Sequence, residues 1–267
     1  MRARKICTTF SSLLALSLGS GLAHAITNGT PDTEHRNVGA ILAEFQAVPG
    51  LVVFVCSGVL VAPSVFLTAN HCVSSAEAIA PSVDRIWVTF DDDASQPTTL
   101  IPAGALHVLS ANRGIGRRTD LGVIELSTPV TVWNGVPLVP AVLPEEGLLD
   151  AQSANGGLIG TTFLSVGYGD DVEMPPPVSS WDGLRRRVES DYLGLTPLYL
   201  RLFQNQQASE GGGTCEGDSG SPKFIPGTNK IVAISTLADR LCIAQSSSIR
   251  LDIPATREFL GEFVPLP

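Results

Sequence analysis

Basic residues are scarce in this chain: 17 lysines and arginines stand against 26 acidic residues, a formal charge of −9 over 267 residues. Such an acidic balance opposes binding to nucleic-acid phosphates or anionic membranes, so neither is expected as a partner. Long apolar runs are missing as well. No stretch beyond residue 25 reaches the roughly 18 uninterrupted apolar residues that span a bilayer, which argues against a membrane-embedded protein. The cysteines, five in all, show no C-x-x-C pairing, so a metal knuckle is disfavoured and neither metal nor cofactor is expected. No internal repeat is visible, and helical periodicity is nearly absent before the last dozen residues. Disorder is excluded by what remains, since 44% hydrophobic and 16% charged residues suffice for a globular core.

Residues 1–25 have the layout of an export signal. Arg2, Arg4 and Lys5 precede an apolar run from Leu13 to Leu22, and Ala23-His24-Ala25 supplies a small-residue cleavage site. The mature chain is expected to begin at Ile26 and to be secreted, extracellular or periplasmic. Cys7 leaves with the signal, and the remaining Cys56, Cys72, Cys215 and Cys242 are an even set suited to oxidising export, with three pairings open. Short apolar or alternating runs separated by turn residues then read as strands: Leu51–Val55, Val65–Thr68, Ile86–Phe90, Leu121–Leu126, Thr161–Val166, Leu184–Val188, Leu198–Phe203, Lys230–Thr236 and Ile249–Ile253. The fold class is therefore all-β, with a short helix near Ala255–Phe263. The proline-rich segment from Thr128 to Gly147 looks like a connection between two halves.

Three segments carry the chemistry. CEGDSGSP, Cys215 to Pro222, offers Ser219 as a nucleophile in a glycine-rich turn. TANHC, Thr68 to Cys72, offers His71 as a base, and RTDLGVIEL offers Asp120 to orient that imidazole. The order His, Asp, Ser separates this chain from α/β-hydrolases and subtilisins, whose orders differ; Ser221 also breaks the G-x-S-x-G elbow that an α/β-hydrolase would need. In residue type, order and spacing the three segments resemble the trypsin-like serine proteases, over nearly all of the chain after residue 25.

That resemblance implies two six-stranded antiparallel β-barrels in a peptidase domain of residues 26–267, the first about 26–135 and the second about 136–267, with the cleft between them. It implies an endopeptidase acting through an acyl-enzyme on Ser219, with the backbone amides of Gly217 and Ser219 as the oxyanion hole. It pairs Cys56 with Cys72 and Cys215 with Cys242. Gly213 would form the base of the primary pocket and Ser235 and Leu237 its wall; without a carboxylate at 213, cleavage after Arg or Lys is disfavoured and small or medium apolar residues are expected. The new amine of Ile26, in a start resembling those of activated relatives, would pair with Asp218, so that export alone yields the active form. Expected partners are polypeptide substrates and protein protease inhibitors, and the expected state is a monomer. The rival readings are a non-catalytic binding protein on the same fold and an ester-selective hydrolase.

Some residues depart from the family pattern or lie outside it. Asn70 stands where alanine commonly precedes the histidine, and Ser221 where glycine commonly follows the serine by two. Asp91, Asp92 and Asp93 form an acidic turn, read as solvated rather than as a calcium site because alternating ligand spacing is lacking. Arg185 to Arg187 reads as a strand with solvent-facing charge.

Overall fold

The computed structural model describes residues 26–46, 48–78, 83–109, 119–173 and 178–267. The expected export signal, with Cys7, lies outside them. Among the described residues no helix is long and apolar enough to cross a membrane.

Six antiparallel strands close the first barrel: Val38–Phe45 beside Val52–Ala62, then Val65–Thr68, Gly122–Leu126, Ile101–Val108 and Val83–Thr89, which returns to the first. A second closed barrel runs Arg186–Leu195, Thr162–Gly167, Pro222–Phe224, Ile231–Ala238, Gln245–Arg250 and Tyr199–Phe203, closing back on Arg186–Leu195. Closure removes the unpaired edges that a sheet of short strands would otherwise present. The stretch between the barrels holds one pair of short antiparallel strands, Val132–Trp133 and Val136–Pro137, and its Val130 and Trp133 are buried.

Each barrel interior is apolar, Leu60, Phe66, Val88 and Ile124 filling the first and Phe163, Leu200, Leu202 and Val232 the second. A larger core lies between them, where Val38, Val59 and Val123 meet Val166, Ile234 and Ile249. The terminal helix Pro254–Leu260, with proline in its first turn, buries Phe259 and Leu260 on that core. Polar contacts reinforce the seam. The Tyr168 hydroxyl donates to the Asp91 carbonyl at 2.7 Å and receives the Arg185 guanidinium at 3.0 Å, and burial pushes the phenol up to about 12.

Arg185 and Arg186 correct the expectation of solvent-facing charge, because both are buried. Arg185 is held by the carboxylate of Asp92 and donates to the carbonyl of Phe90, while Arg186 pairs with Asp182. A buried guanidinium is tolerable only with such partners, and those of Arg185 come from distant segments invisible to a local reading, whereas Asp182 lies four residues before Arg186. The strands Val38–Phe45 and Ile101–Val108 and the helix Asn70–Ala78 were not anticipated, and the last predicted strand begins earlier, at Gln245.

Candidate active site

His71 lies in the first turn of the helix Asn70–Ala78, which leaves the end of the strand Val65–Thr68. Cys72 is bonded to Cys56 and so ties that turn to the neighbouring strand. Asp120 precedes the strand Gly122–Leu126, which pairs with Val65–Thr68 and brings the carboxylate to the helix. One oxygen of Asp120 accepts the His71 backbone N–H at 2.9 Å and the other accepts the ring Nδ1–H at 2.7 Å. A carboxylate can only accept here, so the contact fixes the neutral imidazole with its proton on Nδ1 and a lone pair on Nε2.

Ser219 comes from the other barrel, in the turn that leads into Pro222–Phe224. Its carbonyl accepts the Ser57 N–H at 3.0 Å and lies 3.6 Å from the sulfur of Cys72, so its backbone abuts the disulfide adjoining His71. The amides of this turn divide into two sets. Those of Asp218, Gly220 and Ser221 donate to Cys215, Ser235 and Asp218 carbonyls, whereas those of Gly217 and Ser219 have no acceptor among the described residues. The Glu216 carbonyl is held at 2.7 Å by the Asp170 N–H. A trans peptide points its N–H opposite to its C=O, so the same contact aims the Gly217 N–H away from Asp170. Gly217 has φ +86°, and a Cβ there would lie 2.6 Å from the Phe54 ring. Only glycine suits such a turn.

Asp218 is completely buried, its oxygens accepting the Gly169 N–H at 2.9 Å and the Cys215 N–H at 3.0 Å. Ile26, also buried, donates its own N–H to the Gly169 carbonyl at 3.1 Å. The expected partners therefore meet on either side of one residue, without a direct bond to each other among the described residues. Ile26 holds φ +58°, a strained value for a β-branched side chain.

A depression of about 690 Å³ is lined by His71, Asp120, Tyr199, Thr236 and Leu237, with Leu237 largely exposed at the rim. Ser235 clamps the turn of Ser219, its N–H donating to the Ser221 carbonyl and its hydroxyl to that of Thr214 at 3.1 Å. Gly213 is backed by a residue that sequence reasoning missed. The buried Gln204 puts its Oε1 2.1 Å from where a Cβ on Gly213 would sit, so its carboxamide occupies the space that a longer side chain would enter. That atom and the buried hydroxyls of Ser246 and Ser248 have no partner among the described residues.

Cys215 is bonded to Cys242. Cys56, His71 and Cys72 are grouped within 4.8 Å, but both sulfurs are committed to a disulfide and so cannot serve as thiolate ligands. In the acidic turn Asp91 accepts from Thr98, Thr99, Trp133 and Asn134, Asp92 pairs with Arg185, and Asp93 caps Ser95. Any cation there would have to displace these donors.

The trypsin family model matches residues 29–249. The chain is 26% identical to glandular kallikrein-10 of Rattus norvegicus over 235 residues, covering 80% of this chain and 82% of that protein. It is 26% identical to the snake venom serine protease PTLE1 of Gloydius halys over 181 residues, 65% of this chain and 64% of that one. Solved structures share the fold, two of which illustrate it. One is the HL collagenase, with a TM-score of 0.66 at 14% identity over 89% of this chain and 97% of that one. The other is a Glu endopeptidase in complex with MPD, with a TM-score of 0.59 at 17% identity over 88% and 96%.

Proposed function

Because the chain belongs to the trypsin family of serine proteases, we propose that it cleaves peptide bonds through Ser219, His71 and Asp120 acting as one unit. The Ser219 hydroxyl attacks the scissile carbonyl carbon while its proton passes to Nε2 of His71. The new oxyanion receives the amides of Gly217 and Ser219. As the intermediate collapses, the C–N bond breaks and the leaving amine takes the proton from His71, leaving an acyl ester on Ser219. Water then repeats the sequence and releases the acid. Asp120 keeps the tautomer and stabilises the imidazolium.

The observation that carries this reading is the pair of amides flanking Asp218, which have no acceptor among the described residues while those of Asp218, Gly220 and Ser221 beside them are engaged. An oxyanion hole requires two such donors left free of protein acceptors and aimed at one point.

The reading extends to a chain secreted after cleavage before Ile26, whose freed amine reaches the carboxylate of Asp218 past Gly169, and to cleavage after small or medium apolar residues. The specificity rests on Gly213, which lacks the carboxylate a basic residue would need, and on Gln204, which fills the floor behind it. Paired assays of peptide and ester substrates with the wild type and Ser219→Ala test the reaction class. Peptide turnover lost in the variant supports the endopeptidase. Ester turnover alone would support an ester-selective hydrolase, and turnover of neither would leave a binding protein. A kcat/KM higher for Arg or Lys than for Ala, Val or Leu at the cleaved position would reject the pocket assignment.

A further inference from the structure

Lys223 follows the nucleophile by four residues and is completely buried, its ammonium donating to the Ser165 hydroxyl at 2.8 Å. An ammonium sealed from water with one neutral acceptor is costly unless a carboxylate compensates it. The buried carboxylate on the same side is that of Asp218. Thr162–Gly167 and Pro222–Phe224 are paired with Ser165 opposite Lys223, and continuing the register sets Gly167 opposite Ser221. Alternate residues of a strand share a face, so Ser165 and Gly167 lie against Ser221 and Lys223. A Cβ on Gly167 would lie 2.3 Å from Asp218 Oδ1 and 3.2 Å from the Ser221 Cβ. The missing side chain thus makes room for the carboxylate beside Ser221, whose own buried hydroxyl has no partner among the described residues.

We propose that Lys223, buried beside Ser221 on the face that also receives the Asp218 carboxylate, is the resident counter-charge of Asp218 and a positioning residue for the turn 217–219. The inference rests on reading that turn as the oxyanion site. It accounts for a lysine buried with a single neutral acceptor. Burial pushes the Asp218 carboxyl up to about 7 and the Lys223 ammonium down to about 7, and the charge of each opposes the shift of the other; the nearby Asp170 adds to the rise at Asp218. The Ile26 amine is then an added partner of Asp218 rather than its only one, and the turn is ordered before that amine arrives.

The test combines Lys223→Met and Asp218→Asn, singly and together, in protein starting at Ile26 and in protein carrying one extra residue before it. The readouts are kcat and KM on a peptide substrate and the thermal midpoint. The extension alone is expected to leave most of the turnover. Lys223→Met should cut kcat by about 10²-fold with little change in KM, the size of losing one oxyanion donor. In that variant the extension should cost much more, because the amine is then the last cation available. Asp218→Asn added to Lys223→Met should cost far less than it does alone. Loss of turnover on extension with Lys223 intact, or an unchanged kcat in folded Lys223→Met, would overturn the proposal. Should Lys223→Met fail to fold, Lys223→Gln keeps a donor for the Ser165 hydroxyl while removing the charge and is expected to lower kcat about tenfold, the loss of one interaction with a charged group; an unchanged kcat there would also overturn it. Coupling between 218 and 223 is equally readable in the thermal midpoints, so it stands or falls separately from the peptidase assignment.

Discussion

The two barrels carry their charges in opposite ways. In the first, the side chains of His71 and Asp120 are 43% and 20% exposed and line the depression beside Leu237. In the second, Asp218 and Lys223 have no exposure at all. The difference follows from what each pair must touch. An imidazole that exchanges a proton with a bound reactant has to be reachable, and hydrogen bonds to one carboxylate are enough to hold it. A carboxylate that fixes a backbone turn is effective only away from water, where its bonds to the Gly169 and Cys215 amides are not diluted by competing solvent. On the proposed function, proton transfer falls to the open pair and the shape of the turn 217–219 to the closed one.

Three substitutions probe that division. His71→Ala removes the open base and is expected to lower kcat/KM on a peptide by about 10⁴-fold or more while leaving the melting midpoint nearly unchanged. Turnover within tenfold of wild type would move the base elsewhere. Gly217→Ala, aimed at the closed side, meets both the positive φ and the Phe54 ring. Its kcat should fall by about 10² to 10³-fold as the turn and its donor shift, and a folded variant with full kcat would separate Gly217 from the oxyanion site.

Asp91→Ala, at the seam between the barrels, should act on stability alone. Burial pushes this carboxyl up, but hydrogen bonds from Thr98, Trp133 and Asn134 outweigh it and hold it below its ordinary value of 3.8. A depressed carboxyl contributes stability that is present above its unfolded value and lost as pH falls through the folded one. The variant should therefore be about 1 to 3 kcal/mol less stable near neutrality, with the gap to wild type closing in strong acid. Denaturant midpoints measured across pH check this; a constant gap would assign the loss to packing instead.

The sequence made the proposed reacting groups legible because each sits in a short segment of recognisable residue types and order, and the structure brings His71 and Asp120 together. Strands were legible as apolar runs, although Val38–Phe45 was overlooked despite its buried residues, and the helix carrying His71 is rich in poor helix formers such as Asn70, Cys72 and Ser74. What stayed hidden depends on long-range packing. Nothing near Gln204 in the chain says that its carboxamide fills the space at Gly213. Arg185 reads locally as surface charge, and only the fold brings Asp92 and Tyr168 to it. Lys223 looked equally unremarkable until its strand was set against Ser165.

The most direct measurement of the central claim is the site and rate of covalent labelling by a fluorophosphonate, mapped by peptide mass spectrometry in the wild type and in His71→Ala. The account predicts a single adduct on Ser219 that forms rapidly in the wild type and at least about a thousandfold more slowly in the variant, because the base that activates the hydroxyl is gone. An adduct on another serine, no adduct at all, or an equal rate in the two proteins would contradict it.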